Sequence, residues 1–198
     1  AYYPYNADVR NFNYPVQLAA QERGSTACDL LYAATKEEYT YSPENEPHIS
    51  LNFTHRLAKV ILKFVNMEKE PLEVSDVRIE GMQTAASFNI QTDVLTVDES
   101  SVATINPYHN ATTGFYEAII LPSALTDSYK VSFVLDDREK EWIFTNLDIA
   151  LPQFHKGYSY TFALYIDDSG FVEMGRLENV EGGNSSAPWE DGSSEDGT

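Results

Sequence analysis

Four histidines, one cysteine and 31 acidic side chains are the groups through which this 198-residue chain could do chemistry. The histidines are His48, His55, His109 and His155, and none falls into an H-x-H or H-E-x-x-H pattern, so spacing offers no metal pair. His55 lies in the most apolar stretch and reads as a structural histidine, bonding backbone freed by a bend. His155 follows Phe154 in a Pro-to-Gly connection and reads as surface loop. Cys28 stands alone, so it can build neither a disulfide framework nor a Cys-rich metal site. Between Ala27 and Asp29 it reads as a buried small hydrophobe. Glycoside hydrolysis needs two carboxylates at a fixed separation across a cleft, and among so many acidic residues no pair stands out. The acidic turns Asp136-Asp137 and Asp167-Asp168 lack the alternating oxygen-ligand spacing of an EF-hand loop. There is no G-x-S-x-G elbow and no phosphate-cradling glycine loop. The sequence therefore predicts no catalytic, cofactor-binding or metal-binding residues, and no enzyme.

Charge narrows the partners. Thirteen basic against 31 acidic residues give a formal charge of −18. Binding nucleic acid requires clustered Lys and Arg, so this surface repels it. An anionic membrane face is disfavoured for the same reason, and the acidity reads as solubility and colloidal stability. No run approaches the ~20 apolar residues of a membrane span, and the start does not read as a signal peptide. Ala1-Tyr2-Tyr3-Pro4-Tyr5 reads instead as the middle of a folded strand, with Pro4 confining it to an edge or strand end.

The element that must position the rest is Ile49–Val65. Ile49, Leu51 and Phe53 alternate with Ser50, Asn52 and Thr54, the period of a half-buried strand. Ala58, Val60, Leu62 and Phe64 then alternate with Lys59 and Lys63, while Leu57, Val60, Ile61, Phe64 and Val65 also fit a helical stripe; the β-branched residues and the flanking strand pattern favour strand. The apolar set moves from odd to even positions across Thr54-His55-Arg56. A strand cannot do that without a bulge, bend or break. The stretch is expected to be a long kinked strand, or two successive strands, with both ends feeding a core. Phe53, within the sequon Asn52-Phe53-Thr54, is thus expected to be buried. The other sequons are Asn110-Ala111-Thr112 and Asn184-Ser185-Ser186.

Further strand signals follow at short intervals. They cover 72–79, 86–90, 94–97, 102–105, 115–121, 129–135, 142–144, 147–151, 158–166 and 171–174. Asp136 to Glu141 reads as the hairpin turn before Trp142, and Asp167-Asp168-Ser169-Gly170 as another turn. Upstream, Val16–Arg23 and Cys28–Glu38 carry short patterns that propensity alone would make helical. Lys36–Pro47 is polar with two prolines and reads as a connection. The tail from Leu177 has six acidic residues and no basic ones, and is expected to be largely disordered. Pro188-Trp189 is its one segment suited to docking. Many short strands and almost no helical periodicity predict an all-β sandwich.

Several of these segments, in this order, are similar to the fimbrillin-like proteins of Bacteroidetes, the major, anchor and tip subunits of surface fimbriae. They are Ala1–Tyr5, Asp29-Leu30-Leu31-Tyr32-Ala33, Leu51-x-Phe53-x-His55-x-Leu57-Ala58-Lys59-Val60, Ile119-Ile120-Leu121-Pro122, Leu151–Tyr160 and Pro188-Trp189-Glu190-Asp191-Gly192. The resemblance implies two transthyretin-like β-sandwich domains. Residues 1–47 would be the end of the first, 48–180 a complete second, and 181–198 an acidic tail. It implies an exported lipoprotein at the cell surface and outer membrane, anchored through a lipid-bearing cysteine not in this sequence. It also implies a structural and adhesive role, with assembly onto other fimbrial subunits by strand addition between chains and possible contact with host or bacterial surface ligands. A first domain reduced to its last strands would be unstable alone, so either more of it precedes these residues or they pack on the second domain. The sequons read as chance in a bacterial protein. A second reading is a carbohydrate-binding sandwich with Tyr2, Tyr3, Tyr108 and Trp189 as its aromatic platform.

Overall fold

The structure, a computed structural model, describes residues 1–21, 28–35, 49–67, 73–135, 138–145 and 151–166, with 172–178 and 187–188 as backbone. Among the described residues there are 17 strands and no helix. The first five are β1 (Tyr2–Tyr3), β2 (Asn13–Gln17), β3 (Leu31–Tyr32), β4 (Thr54–His55) and β5 (Ala58–Asn66). Then come β6 (Val74–Glu80), β7 (Ala85–Asn89), β8 (Val94–Val97), β9 (Tyr108–Asn110), β10 (Phe115–Ile120) and β11 (Ser123–Ala124). The last six are β12 (Lys130–Leu135), β13 (Arg138–Ile143), β14 (Gln153–Phe154), β15 (Tyr158–Ile166), β16 (Val172–Glu178) and β17 (Ala187–Pro188).

The largest sheet runs β16-β15-β5-β10-β9, with β17 also beside β15. Its two nine-residue strands, β5 and β15, pair in parallel from Lys59 opposite Ser159 to Asn66 opposite Ile166. Alternation puts Ala58, Val60 and Leu62 with Tyr160, Phe162, Leu164 and Ile166 into one core. The sheet β13-β12-β6 covers it with Val77, Ile79, Val131, Phe133, Leu135 and Trp142. Rings of Trp142, Phe144, Phe154, Tyr160 and Phe162 meet edge-on or tilted at 5.0 to 5.7 Å between centroids. Such pairs add ~0.5–1.5 kcal/mol each beyond the area they bury. The expected all-β sandwich is what the chain forms.

A second core explains why Ala118-Ile119-Ile120-Leu121 are buried without a gap. Ala118 and Ile120 face the first core; Ile119 and Leu121 join Tyr14, Val16, Leu18, Leu30, Tyr32, Leu57, Ala86 and Phe88 on the other side. A strand covered on both faces loses its polar alternation. Strand β2 pairs with β7, and β7 with β8, while β3 lies between β1 and β4. The described part of residues 1–35 therefore packs on the later sheets. Where propensity favoured helix over 16–23 and 28–38, the described residues instead hold the end of β2 and the whole of β3, because the tertiary core recruits them.

The parity change near His55 now has a cause. The chain breaks between β4 and β5, so that Leu57 faces the second core and Ala58 the first. The preceding segment departs from its expected form. Residues 49–53 form no strand among the described residues, and Ile49, Leu51 and Phe53 are 45%, 39% and 44% exposed. Among the described residues no strand pairs with them. The hairpin after β12 also differs: Leu135 pairs with Arg138, so the return strand starts four residues before Trp142. Its acidic residues Glu139 and Glu141 lie on the outer face, opposite to Trp142. There Arg78 pairs with Glu139, and Lys130 lies 2.8 Å from Glu141 and 3.5 Å from Glu80. Of the expected strand 102–105, only isolated bridges at Val102 and Ile105 form.

Gln21 does the work of a missing strand. β9 pairs with β10 only as far as Glu117. Two residues on, the 1%-exposed Gln21 donates from Nε2 to the Ile119 carbonyl at 2.6 Å and to Leu18 at 2.8 Å. Its Oε1 accepts the Ile119 N–H at 2.7 Å. Gln21→Ala leaves buried backbone groups unsatisfied and is expected to cost about 2 kcal/mol. Gln21→Glu should fare no better, since it loses both donated bonds. The midpoint of urea unfolding measures both.

Candidate strand-acceptor cleft

Two sheet edges end on the same side of the sandwich. β6 is the last strand of its sheet. Its second half is covered by Ile105, which exchanges two 2.9 Å backbone hydrogen bonds with Ile79. Over Val74–Val77 no described strand lies on that side. Among the described residues β9 is likewise the last strand of the large sheet, paired only with β10. Between these edges lies an open cleft of about 470 Å³.

Local chemistry shapes each wall. The β9–β10 turn is capped by Asn110, whose Oδ1 accepts the N–H of Thr112 at 3.0 Å. Gly114 closes it in the left-handed region, φ +74°, donating 2.7 Å to the Asn110 carbonyl. On the β6 wall the register shifts between Ser132 and Val134, a bulge that holds Asp76 at φ +53°. Tyr116 ties the walls together, its hydroxyl donating to the Val74 carbonyl at 3.0 Å. Burial pushes its phenol pKa up, so it stays a neutral donor. Phe64 stands edge-on to Tyr116 at 5.7 Å, and His109 stacks on it at 4.6 Å. Phe64, Val74 and Tyr116 are half-buried, whereas Glu73, Ser75 and His109 are exposed at the rim. A cleft of mixed polarity, floored by Phe64, Val74 and Tyr116 and flanked by sheet edges, suits an extended peptide: backbone groups pair with an edge and alternate side chains enter the cleft.

The residues singled out from sequence are scattered. His55 is buried, with Nδ1 2.8 Å from Oδ2 of the equally buried Asp29. His155 is exposed beside Gln153, and its backbone N–H donates to the Tyr160 hydroxyl at 2.7 Å. Cys28 is a half-buried free thiol whose pKa is raised, first by burial and then by the Asp29 carboxylate. His48, Asp136-Asp137, Asp167-Asp168 and Trp189 lie outside the described residues, as does Asn184. Of the aromatic platform, Tyr2 packs edge-on against Tyr14 at 5.6 Å, and Tyr3 is exposed. Both are on β1, while Tyr108 is on β9 of another sheet. Among the described residues no three His, Cys, Asp or Glu side chains gather as a metal site. Sequence reasoning missed the cleft, whose lining comes from three separate segments. The one available signal was His109 so close to the aromatic pair Phe115-Tyr116.

Fold and cleft together define a class: an all-β sandwich protein with open strand edges. A family model described as fimbrillin-like matches residues 1–189, and the chain belongs to that family. No curated protein matches the sequence. Among solved structures, a candidate cell adhesion protein from Bacteroides uniformis is similar at a TM-score of 0.75 and 23% identity, over 89% of this chain and 70% of that one. Another from Bacteroides ovatus gives 0.67 at 17% identity, over 97% and 67%. A third, from Bacteroides thetaiotaomicron, gives 0.51 at 12% identity, over 96% and 70%. These likenesses are of fold.

Proposed function

We propose that this protein is a non-enzymatic structural and adhesive subunit of bacterial surface fimbriae. It assembles with other fimbrial subunits by strand addition at the cleft between β6 and β9. The observation that carries this reading is two sheet edges, unextended among the described residues, around a cleft floored by Phe64, Val74 and Tyr116 in a fimbrillin-like chain. Main-chain hydrogen bonds supply the affinity and alternate side chains the specificity. A contact between unlike surfaces does not close on itself, so it makes filaments. In the cell the protein is exported and held at the outer membrane as a lipoprotein. Residues 1–47 are the end of a first sandwich domain docked on the second, 48–180, and 181–198 form the tail.

Electron microscopy of the cell surface with and without the gene tests the role. Lost or shortened fibres are expected, and unchanged fibres with unchanged adhesion would overturn it. Ser75→Lys tests the cleft. A lysine on an edge opposes strand pairing, so assembly should fall at least ~10-fold, a loss of about 1.4 kcal/mol. At an exposed position, stability should move by less than ~0.5 kcal/mol. Fibres of ordinary length from this variant would place assembly elsewhere.

A further inference from the structure

The outer face of the sheet β2-β7-β8 carries no charged side chain. Alternate residues of its strands, Tyr14, Val16, Ala86, Phe88, Leu95 and Val97, belong to the second core. The residues between them point the other way and stand in rows. Asn13 lies opposite Asn89, and Asn89 opposite Val94; Pro15 lies opposite Ser87, and Ser87 opposite Thr96. Gln17 opposite Ala85 completes the face. Asn13, Gln17, Ser87, Val94 and Thr96 are exposed. The chain is 22% charged, and solvated sheet faces ordinarily carry that charge. The outer face of β13-β12-β6 does so, with Arg78, Glu80, Lys130, Glu139 and Glu141. Charges flanking the uncharged face are engaged elsewhere. Arg10 donates to the carbonyls of Ala7 and Val9, and Asp93 lies 2.7 Å from Arg56.

One end of this face holds a strained turn. Arg10 and Asn13 exchange backbone hydrogen bonds of 2.8 and 3.2 Å around Asn11-Phe12, whose φ values are +49° and +63°. Positive φ at both central residues marks a type I′ turn, which prefers glycine at the second of them. A bulky side chain there is an outlier. Burial does not compensate, since Phe12 is 59% exposed. The Ile90 N–H donates to the Phe12 carbonyl at 2.8 Å and pins the turn to the end of β7. Strain that the surrounding structure holds in place, with no packing gained, points to function.

We propose that this face, with Phe12 at its end, binds a neutral carbohydrate chain. Three strands and five residues make it roughly 10 Å across and 15 Å long, the footprint of a short oligosaccharide. Amide and hydroxyl side chains each offer a donor and an acceptor, which is what sugar hydroxyls need. Asn13, Gln17, Ser87, Asn89 and Thr96 supply them, and the 3.4 Å bond from Asn89 Nδ2 to Asn13 Oδ1 sets two amides side by side. The exposed Phe12 ring gives the C–H side of a pyranose an apolar surface. An acidic glycan is disfavoured by the formal −18 of the chain. A second protein sheet suits the face poorly. Such contacts interdigitate apolar side chains, and here they would bury amides and hydroxyls, which is costly without matched partners. The site shares no residue with the cleft or with the platform of Tyr2, Tyr3, Tyr108 and Trp189. It deepens the adhesive part of the reading above by naming a ligand class, and it is independent of strand addition.

Affinity electrophoresis of the full chain tests it, in gels holding soluble starch, dextran or galactomannan, with polygalacturonate as the acidic comparison. Retardation by at least one neutral polysaccharide is expected. Phe12→Gly and Ser87→Lys should each weaken that retardation at least ~10-fold, as loss of a central contact does. The two variants stay folded. Glycine suits the turn, so the urea midpoint of Phe12→Gly should rise; that of Ser87→Lys, at an exposed position, should hold. No retardation by any neutral polysaccharide, or retardation by polygalacturonate alone, would overturn the proposal. So would retardation that survives both substitutions. Self-association in sedimentation velocity that Ser87→Lys abolishes would make the face a contact between copies, and would overturn it too. Fibre length separates this result from the fimbrial reading. Fibres from a protein that no neutral polysaccharide retards would sink the carbohydrate site alone, whereas retardation of a protein whose loss leaves fibres and adhesion unchanged would sink the fimbrial reading alone.

Discussion

Replacing His55 with alanine is expected to destabilise the fold by about 3–5 kcal/mol, the range found when one partner of a buried ionisable pair is removed. His55 and Asp29 are only 8% and 7% exposed at the side chain, with Nδ1 and Oδ2 2.8 Å apart. The pair sits where backbone pairing is shortest. There Leu31 faces His55, and the Arg56 N–H donates to the Leu30 carbonyl at 2.9 Å. Two-residue strands hold little by themselves, so the side chains fasten the N-terminal segment to the break before β5. Total stabilities of domains are ~5–15 kcal/mol, so the loss is a large fraction. Urea unfolding of His55→Ala, Asp29→Ala and the double variant measures it. The double variant should cost clearly less than the sum, because both changes remove the same contact. Since His55 is buried away from the cleft, the His55→Ala protein that remains folded should assemble as the parent does. A stable His55→Ala protein that had lost assembly would turn His55 into a functional residue.

That outcome bears on what could be read in advance. Strands that bury one face announced themselves: Tyr158, Tyr160, Phe162, Leu164 and Ile166 lie at alternate positions of β15, and the last four are fully buried. Misreadings came where burial is decided by distant elements. The charges of β13 looked like a turn because the partners of Glu139 and Glu141, Arg78 and Lys130, lie on two other strands. Ile49, Leu51 and Phe53 looked like a core face because alternation records what a segment can bury, not what covers it in one copy. Gln21 gave no signal, since its partner Ile119 is 98 residues away. The cleft was illegible for a related reason. Its walls are defined by which strands are last in their sheets, a property of topology rather than of local pattern. The fimbrillin-like membership was legible because it rests on ordered short motifs, each of which survives without knowledge of the contacts.

Gly81→Ala should be comparable in damage to His55→Ala, and for a different cause. Gly81 follows β6 and begins the short connection to β7, so it joins the sheet over the first core to the sheet over the second. Its φ is +85°, where a side chain costs ~1–2 kcal/mol. A Cβ there would also overlap the Ser128 carbonyl, with its carbon at 2.7 Å. Ser128 is backbone just before buried Tyr129, which packs in the first core, so it cannot swing aside as a flexible side chain would. Overpacking of this kind adds ~1–3 kcal/mol, for a total of about 2–5 kcal/mol. Gly114 is the control, with φ +74° and nothing within 4 Å of a built Cβ. Gly114→Ala should show only the backbone cost, ~1–2 kcal/mol. Comparing the two unfolding midpoints separates conformational strain from steric overlap. Equal losses would mean that the Ser128 loop yields, and that the two cores are joined less rigidly than the close approach at Gly81 indicates.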